Sequence, residues 1–279
     1  MFPESILTPI PTDALAFTLQ VERLFDELMR KAYAPLGEEP KAHDETSLGG
    51  RLIYAAELNA DARALLVASN IAGAASLAAT ADAAAQKQAI RDGVADFAVN
   101  SLDEALRILK NEIRKHGPVA VCIGAPPLDV EREMVERGVL PDLVPEMARA
   151  QRFDAAWASV PRIELSNTQD ERNVITWRVS SGPAQWLPKL DAIAMDLVGE
   201  VDGQEALAAR RWLRLAPRYL GRLSQGVRVL RCERTMAMEF VARVRSAVES
   251  GEIGVAVEVS VNRGEEIYRF PSDGGQAST

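Results

Sequence analysis

The chain has 279 residues, of which 47% are hydrophobic and 26% charged. That is enough apolar material for a real core, in one large domain or two small ones, and it excludes a disordered tail protein. The net charge of -8 disfavours non-specific nucleic-acid binding by bulk charge, and two cysteines are too few for a disulfide scaffold.

Cys122 and Cys232 read as small core hydrophobes of a reduced compartment. His43 and His116 are far from either cysteine and no CxxC pair exists, so no metal site is expected. The N-terminus has no basic segment ahead of an apolar run, and no stretch reaches the roughly 20 apolar residues needed to span a bilayer. A cytoplasmic protein without membrane contact is expected.

Residues 12–33 place Leu15, Leu19, Leu24, Phe25 and Leu28 at helical spacing, with Thr12 or Asp13 as cap. Residues 35–50, rich in proline, glycine and charge, read as a linker. From residue 51 short apolar runs alternate with helices. Arg51–Ala56 reads as a strand, Asp61–Gly73 as a helix closed by Gly73, and Ala74–Ala79 as a small-residue strand. Ala81–Gly93 is a helix and Asp96–Val99 a short strand. Asn100 or Ser101 caps the amphipathic helix that Gly117 ends, with Leu102, Ala105, Leu106, Leu109 and Ile113 on one face.

Pro118–Ile123 is a continuous apolar run, the pattern of a strand buried on both faces. Leu128–Arg137 follows as a helix and Asp142–Val144 as a strand. This alternation predicts parallel βαβ units in a doubly wound α/β sheet. Further on, Arg162–Leu165, Val174–Val179, Val227–Leu230 and Val255–Val261 have strand composition. Leu187–Val198, Glu205–Arg222 and Arg234–Ser250 read as helices, and Pro217 is expected to kink or split the second of these.

The wording of several segments resembles a known family. SLDEALRILKNEIRK (Ser101–Lys115), PVAVCIGAPPLDVEREMVERGVLPDLV (Pro118–Val144) and LVASNIAGAASL (Leu66–Leu77) are similar to the central dinucleotide-binding domain of urocanase, urocanate hydratase. A second patch, from Trp212-Leu213 and Ala216 through Arg228 to Ser250-Gly251-Glu252, is similar to that family's C-terminal half. The two patches together cover about half of the chain. The resemblance implies a Rossmann-like fold and a homodimer, with NAD acting as an electrophile toward the urocanate imidazole. It divides the chain into an N-terminal helix and linker (1–50), a Rossmann-like domain (51–150), a C-terminal α/β portion packed on it (151–270) and a flexible tail (271–279).

The cofactor positions that the resemblance assigns carry altered residues. The family's first strand–helix turn, Gly-Leu-Gly-Gly-Met-Gly-Gly, falls on Glu57 through Arg63, where no glycine remains. Bare backbone is what lets a diphosphate approach a helix N-terminus. Glu57 and Asp61 add negative charge there, and at ~4 Å two like unit charges repel by roughly 4 kcal/mol at an effective dielectric of 20. Arg63 would offset part of this.

The acid expected on a ribose hydroxyl falls on Thr80, and the Gly-Asn-Ala-Ala loop falls on Gly124, Ala125, Pro126 and Pro127, where proline removes amide donors. The family's polar run after the fifth strand falls on Pro145–Arg152, and its Gly-Arg-Asp-His motif near Ser260–Arg263. The cofactor positions are therefore Glu57, Asn59, Arg63, Thr80, Gly124 and Ala125, and no catalytic residue is assigned.

Each feature also has a structural role to set beside the functional one. Asn59 or Asp61 is a natural helix cap. Cys122 suits core packing better than nucleophilic work, and His116 suits a helix C-terminus. Trp157, Trp177, Trp186 and Trp212 read as core or interface anchors. The arginine-rich stretch from Arg210 to Arg245 reads as a solvated face paired with acids.

The expectation is a shortened urocanase relative that keeps the scaffold, binds no cofactor, lacks hydratase activity and acts in binding or assembly. The alternative is an NAD-dependent hydratase-like lyase with a rearranged site. A third possibility is a subunit whose site a partner chain completes.

Overall fold

The computed structural model describes residues 12–33, 47–146, 157–163 and 173–271. Residues 35–46 of the expected linker (35–50), 147–152 of the family's polar run (145–152) and 272–279 of the tail (271–279) lie outside the described residues. Two compact units emerge, one within Gln20–Thr168 with Arg218–Leu220, the other within Met1–Leu19, Gln169–Pro217 and Gly221–Thr279.

Helix α1 runs Thr12–Tyr33, with Leu24, Phe25 and Leu28 buried as their spacing predicts. The first unit then alternates β1 (Leu52–Glu57), α2 (Ala60–Ala72), β2 (Ala75–Ala79), α3 (Ala83–Asp92), β3 (Phe97–Val99), α4 (Leu102–Arg114), β4 (Val119–Ile123), α5 (Pro127–Glu136) and β5 (Val144–Pro145). The caps are local chemistry. Asp82 and Ser101 accept from first-turn amides, and Gly73 and Gly93 end their helices in the left-handed conformation that glycine adopts without a Cβ clash.

Strands β1 to β4 form one parallel sheet in the order β1-β2-β4-β3. Leu143, just before β5, bridges to Ile53 on the free edge of β1, again in parallel. All five residues of β2 and all five of β4 are buried, as expected for central strands with helices on both sides. Their small residues, Ala75, Ser76, Ala78, Ala79 and Ala120, let those helices approach closely. On one face Leu52, Tyr54, Leu77, Val121 and Ile123 form a core with Leu102, Leu106 and Leu109 of α4 and Val130 and Met134 of α5. The alternate residues Ile53, Ala78, Ala120 and Cys122 are buried on the other face, where α2 packs against β1, β2 and β4.

The topology is doubly wound. The steps from β1 to β2 and from β2 to β3 move one way along the sheet, and the steps from β3 to β4 and from β4 to β5 move back. Right-handed crossovers then put α2 and α3 on one face, α4 and α5 on the other. The direction reverses between β2 and β4, and a crevice at the carboxyl ends of strands belongs at such a point.

The strand β6 (Arg162–Ile163) pairs with β5 in parallel. The second unit has β7 (Asn173–Val179), α6 (Pro183–Gly199), α7 (Gln204–Leu220), β8 (Arg228–Cys232), α8 (Arg234–Glu249), β9 (Val257–Val261) and β10 (Glu266–Phe270). Its sheet, ordered β10-β9-β7-β8, is antiparallel at every pairing, unlike the first. On the helix-covered face Trp177 meets Phe240 at 4.9 Å between ring centres, and its indole donates to Asp191 of α6 at 3.0 Å. On the other face Val174, Val227 and Val229 pack with Leu15 and Leu19, and Trp212 donates to the Val229 carbonyl at 2.6 Å.

Two sequence expectations need correction here, and one strand is new. Pro217 does not split α7, which continues to Leu220. Proline lies in the last turn, with Gly221 beyond it at φ 48° as the terminator. Helix α6 starts at Pro183 rather than Leu187, because proline suits a first helical position. β10 was not foreseen, since Glu266–Phe270 mixes the charges of Glu266 and Arg269 with apolar residues and lacks strict alternation. Among the described residues no helix is long and apolar enough to cross a membrane.

Candidate functional site

The direction reversal brings the ends of β2 and β4 side by side, with the end of β1 next to β2. At the end of β1 the chain does not make an open, glycine-lined turn. The register slips between Tyr54 and Glu57, and Ala56 sits at φ 58°, an unusual conformation for a residue with a Cβ. Leu58 then donates its amide to Ala79 at 2.9 Å, and the Asn59 amide folds back on the Glu57 carbonyl at 2.7 Å.

The Asn59 side chain accepts from the Ala62 amide at 3.0 Å and so caps α2. Of the two caps the sequence allowed, Asn59 is the one used. Asp61 accepts from Gln20 at 2.5 Å. Arg63 does not compensate Glu57; it pairs with Asp92 of α3 at 2.6 Å, with both side chains mostly buried. Glu57 itself is exposed at the mouth of the turn.

At the end of β2, Thr80 is buried, donates its amide to Ile123 at 3.0 Å and accepts the Asp82 amide on its hydroxyl at 3.1 Å. Asp82 accepts from Ala84 at 2.7 Å and from Ala85 at 3.2 Å. At the end of β4, Gly124 donates to the Val99 carbonyl at 2.8 Å. Ala125 follows, half-buried, and α5 starts through Pro126 and Pro127 without any side-chain cap.

The structure adds one residue to the edge that motif reasoning passed over. Gln86 of α3 donates its side-chain amide to the Cys122 carbonyl at 3.1 Å and to the Val99 carbonyl at 3.3 Å, tying the ends of β3 and β4. A Cβ on Gly124 would come within 3.2 Å of that amide, so the glycine here makes room for Gln86. The only sequence signal was a glutamine one turn into an alanine-rich helix.

Cys122 is wholly buried and its thiol is pushed up to about 11, first by burial and then by the charge of Glu57; Gln86 opposes both. That environment makes it a packing residue, not a nucleophile. His116 lies just past the end of α4 at φ 55°, with its Nδ1 at 3.0 Å from the Gly49 carbonyl. Its ring lies against Gly50 and its backbone against Gly49, which leaves no space for larger residues there.

Of the six cofactor positions, Asn59 and Arg63 are engaged in a cap and an ion pair. Thr80 and Gly124 line the β2/β4 edge, with Ala125 after Gly124 and Glu57 at the end of β1. Among the described residues no group of three or more His, Cys, Asp or Glu is placed to hold a metal ion.

In the arginine-rich stretch, Arg228 pairs with Asp191 at 3.0 Å and Arg243 with Glu200 at 2.8 Å. Arg210 donates to the carbonyls of Val198, Gly199 and Val201, closing the end of α6. Trp157, Trp177 and Trp212 are buried, whereas Trp186 is half-buried beneath Lys189.

Residues 31–157 match the family model of the urocanase Rossmann-like domain. The match takes in the parallel sheet and its helices, somewhat under half of the chain. This segment is urocanase-like in fold, and the antiparallel unit lies outside the match.

Proposed function

We propose that this protein retains a urocanase-like Rossmann domain as a binding or scaffold element and lacks urocanate hydratase activity. The observation that carries the reading is the turn from Glu57 to Arg63. A dinucleotide diphosphate needs bare backbone and free amides at the start of α2. Here a side chain already occupies the Ala62 amide, no glycine is present, and Glu57 adds negative charge with Arg63 turned to Asp92. These residues do not fit the diphosphate of NAD. Thr80 likewise offers no carboxylate for a ribose, and its hydroxyl is turned onto the Asp82 amide. Cofactors of this kind carry the chemistry, so losing the cradle removes the reaction with it.

An assembly role is supported by the edge of the sheet at β3, which no further strand covers among the described residues. Phe97 on edge strand β3 is 47% exposed, and α3 beside it buries only Ala89. In solution the protein is a homodimer on this reading, which light scattering checks. The test of function is direct. Purified protein is denatured and the supernatant assayed for released nucleotide, NAD is titrated calorimetrically, and urocanate absorbance is followed. No nucleotide, no binding heat and no absorbance loss are expected. Stoichiometric NAD with urocanate turnover overturns the reading.

One observation favours the alternative of an NAD-dependent hydratase-like lyase with a rearranged site. α5 starts at Pro127, beside the β2/β4 reversal and three residues after Gly124, with no side-chain cap. Bound NAD that survives Asn59→Asp but is lost in Gly124→Val would assign the cofactor to that end instead.

A further inference from the structure

The core beneath α4 and α5 contains a polar group without a partner. Trp157 is 2% exposed, and its indole N–H has no hydrogen-bond acceptor among the described residues. Its ring meets Tyr54 edge-on at 5.5 Å between centres. Tyr54 is 0% exposed and donates its hydroxyl to Glu131 of α5 at 3.1 Å. Glu131 is 4% exposed, and this is the one hydrogen bond its carboxyl makes among the described residues. Leu52, Val130, Met134, Val144 and Val160 belong to the same core.

A buried indole N–H left bare costs the full desolvation of a donor, and a buried carboxyl with one bond leaves most of its acceptor capacity unused. The deficits are complementary, one donor against several lone pairs. Internal waters settle where two to four polar groups face a small space, and proteins of this size hold several of them. We infer that Trp157, Glu131 and Tyr54 enclose an internal water site, in which one water accepts from the indole and donates to the Glu131 carboxyl. That water fastens the segment at Trp157 to α5, whose Glu131 also takes the hydroxyl of Tyr54 on β1. The inference stands independently of the proposed function, because it concerns the other face of the sheet from Asn59 and Cys122.

The test replaces Trp157 with 3-benzothienylalanine, which keeps the ring shape and removes only the N–H. If water bridges the site, the isostere lowers the melting temperature by about 3 °C, the shift expected from one lost hydrogen bond in a chain of this size. In a Glu131→Met background the same replacement changes nothing, because the water's acceptor is gone. In the unmodified protein the indole proton shows a magnetisation-transfer contact to long-lived water. A melting temperature unchanged or raised by the isostere means a dry, bare N–H and overturns the inference. An equal loss in both backgrounds assigns the N–H to another acceptor and overturns it as well. Should Glu131→Met fail to fold, the water contact in the unmodified protein decides alone.

Discussion

Removal of the Asp191 carboxyl is the sharpest test of how the second unit is held together. Asp191 accepts the Trp177 indole on one oxygen and the Arg228 guanidinium on the other, both at 3.0 Å. Trp177 is buried in β7, Arg228 lies opposite it on β8, and Asp191 reaches down from α6, so one carboxyl joins a helix to two strands. In Asp191→Ala the buried indole loses its acceptor, at about 1–3 kcal/mol. The guanidinium also loses its counter-charge. Stranding one partner of a buried pair costs about 3–5 kcal/mol, and the side chains here keep some water contact, so about 1–2 kcal/mol is appropriate. We expect a total near 3 kcal/mol, within the upper range for single substitutions.

Asp191→Asn keeps an acceptor for Trp177 but loses the charge and puts a donor NH2 in place of the oxygen that Arg228 uses, so it should cost less than alanine by about the value of the indole hydrogen bond, about 1 kcal/mol. Urea unfolding followed by circular dichroism measures both, with the slope checked so that only the midpoint moves. A loss under about 1 kcal/mol for the alanine variant, or equal losses for alanine and asparagine, would falsify the account.

Three further outcomes follow from the first unit. Asn59→Ala removes the cap of α2 and should cost about 1 kcal/mol, with Asn59→Gly costing only a few tenths, by the same unfolding assay. Glu131 has a carboxyl raised above its ordinary range by burial, with the Tyr54 hydrogen bond opposing. A raised folded value contributes stability that is whole below the unfolded pKa of roughly 4.3 and is lost as pH rises through the folded value. The stability difference between the protein and Glu131→Gln should therefore shift in favour of the glutamine form as pH rises above that point; a difference that is flat with pH contradicts it. Cys122, buried and pushed up to about 11, should resist an aromatic disulfide reagent at pH 8 until the chain unfolds. Rapid labelling of the native protein at Cys122 would show that the strand is open to solvent.

Much of the first unit was legible in the residues because its signals are local. The spacing of Leu102, Leu106 and Leu109, the cap at Ser101 and the glycines at 73 and 93 all act within a few residues of themselves, and each sits where its stereochemistry requires. The second unit was less legible. Its strands are short, β10 is half-exposed, and antiparallel pairing of β7 with both β8 and β9 depends on partners about 50 and 85 residues away, which no local pattern encodes.

The candidate site divides in the same way. The absence of glycine from Glu57 to Arg63 and the capping role open to Asn59 are properties of the residues themselves, fixed by whether a Cβ or a side-chain oxygen is present. The slip in register that leaves Ala56 at positive φ, the turning of Arg63 to Asp92, the insertion of Gln86 between the ends of β3 and β4, and the burial of Glu131 against Tyr54 arise only when distant segments meet. Composition and periodicity determine which stretches become helices and strands and which face of each is apolar. Strand order, and with it the place where the sheet reverses and the partner each polar group finds, depends on non-local pairing energies that exist only in the folded chain.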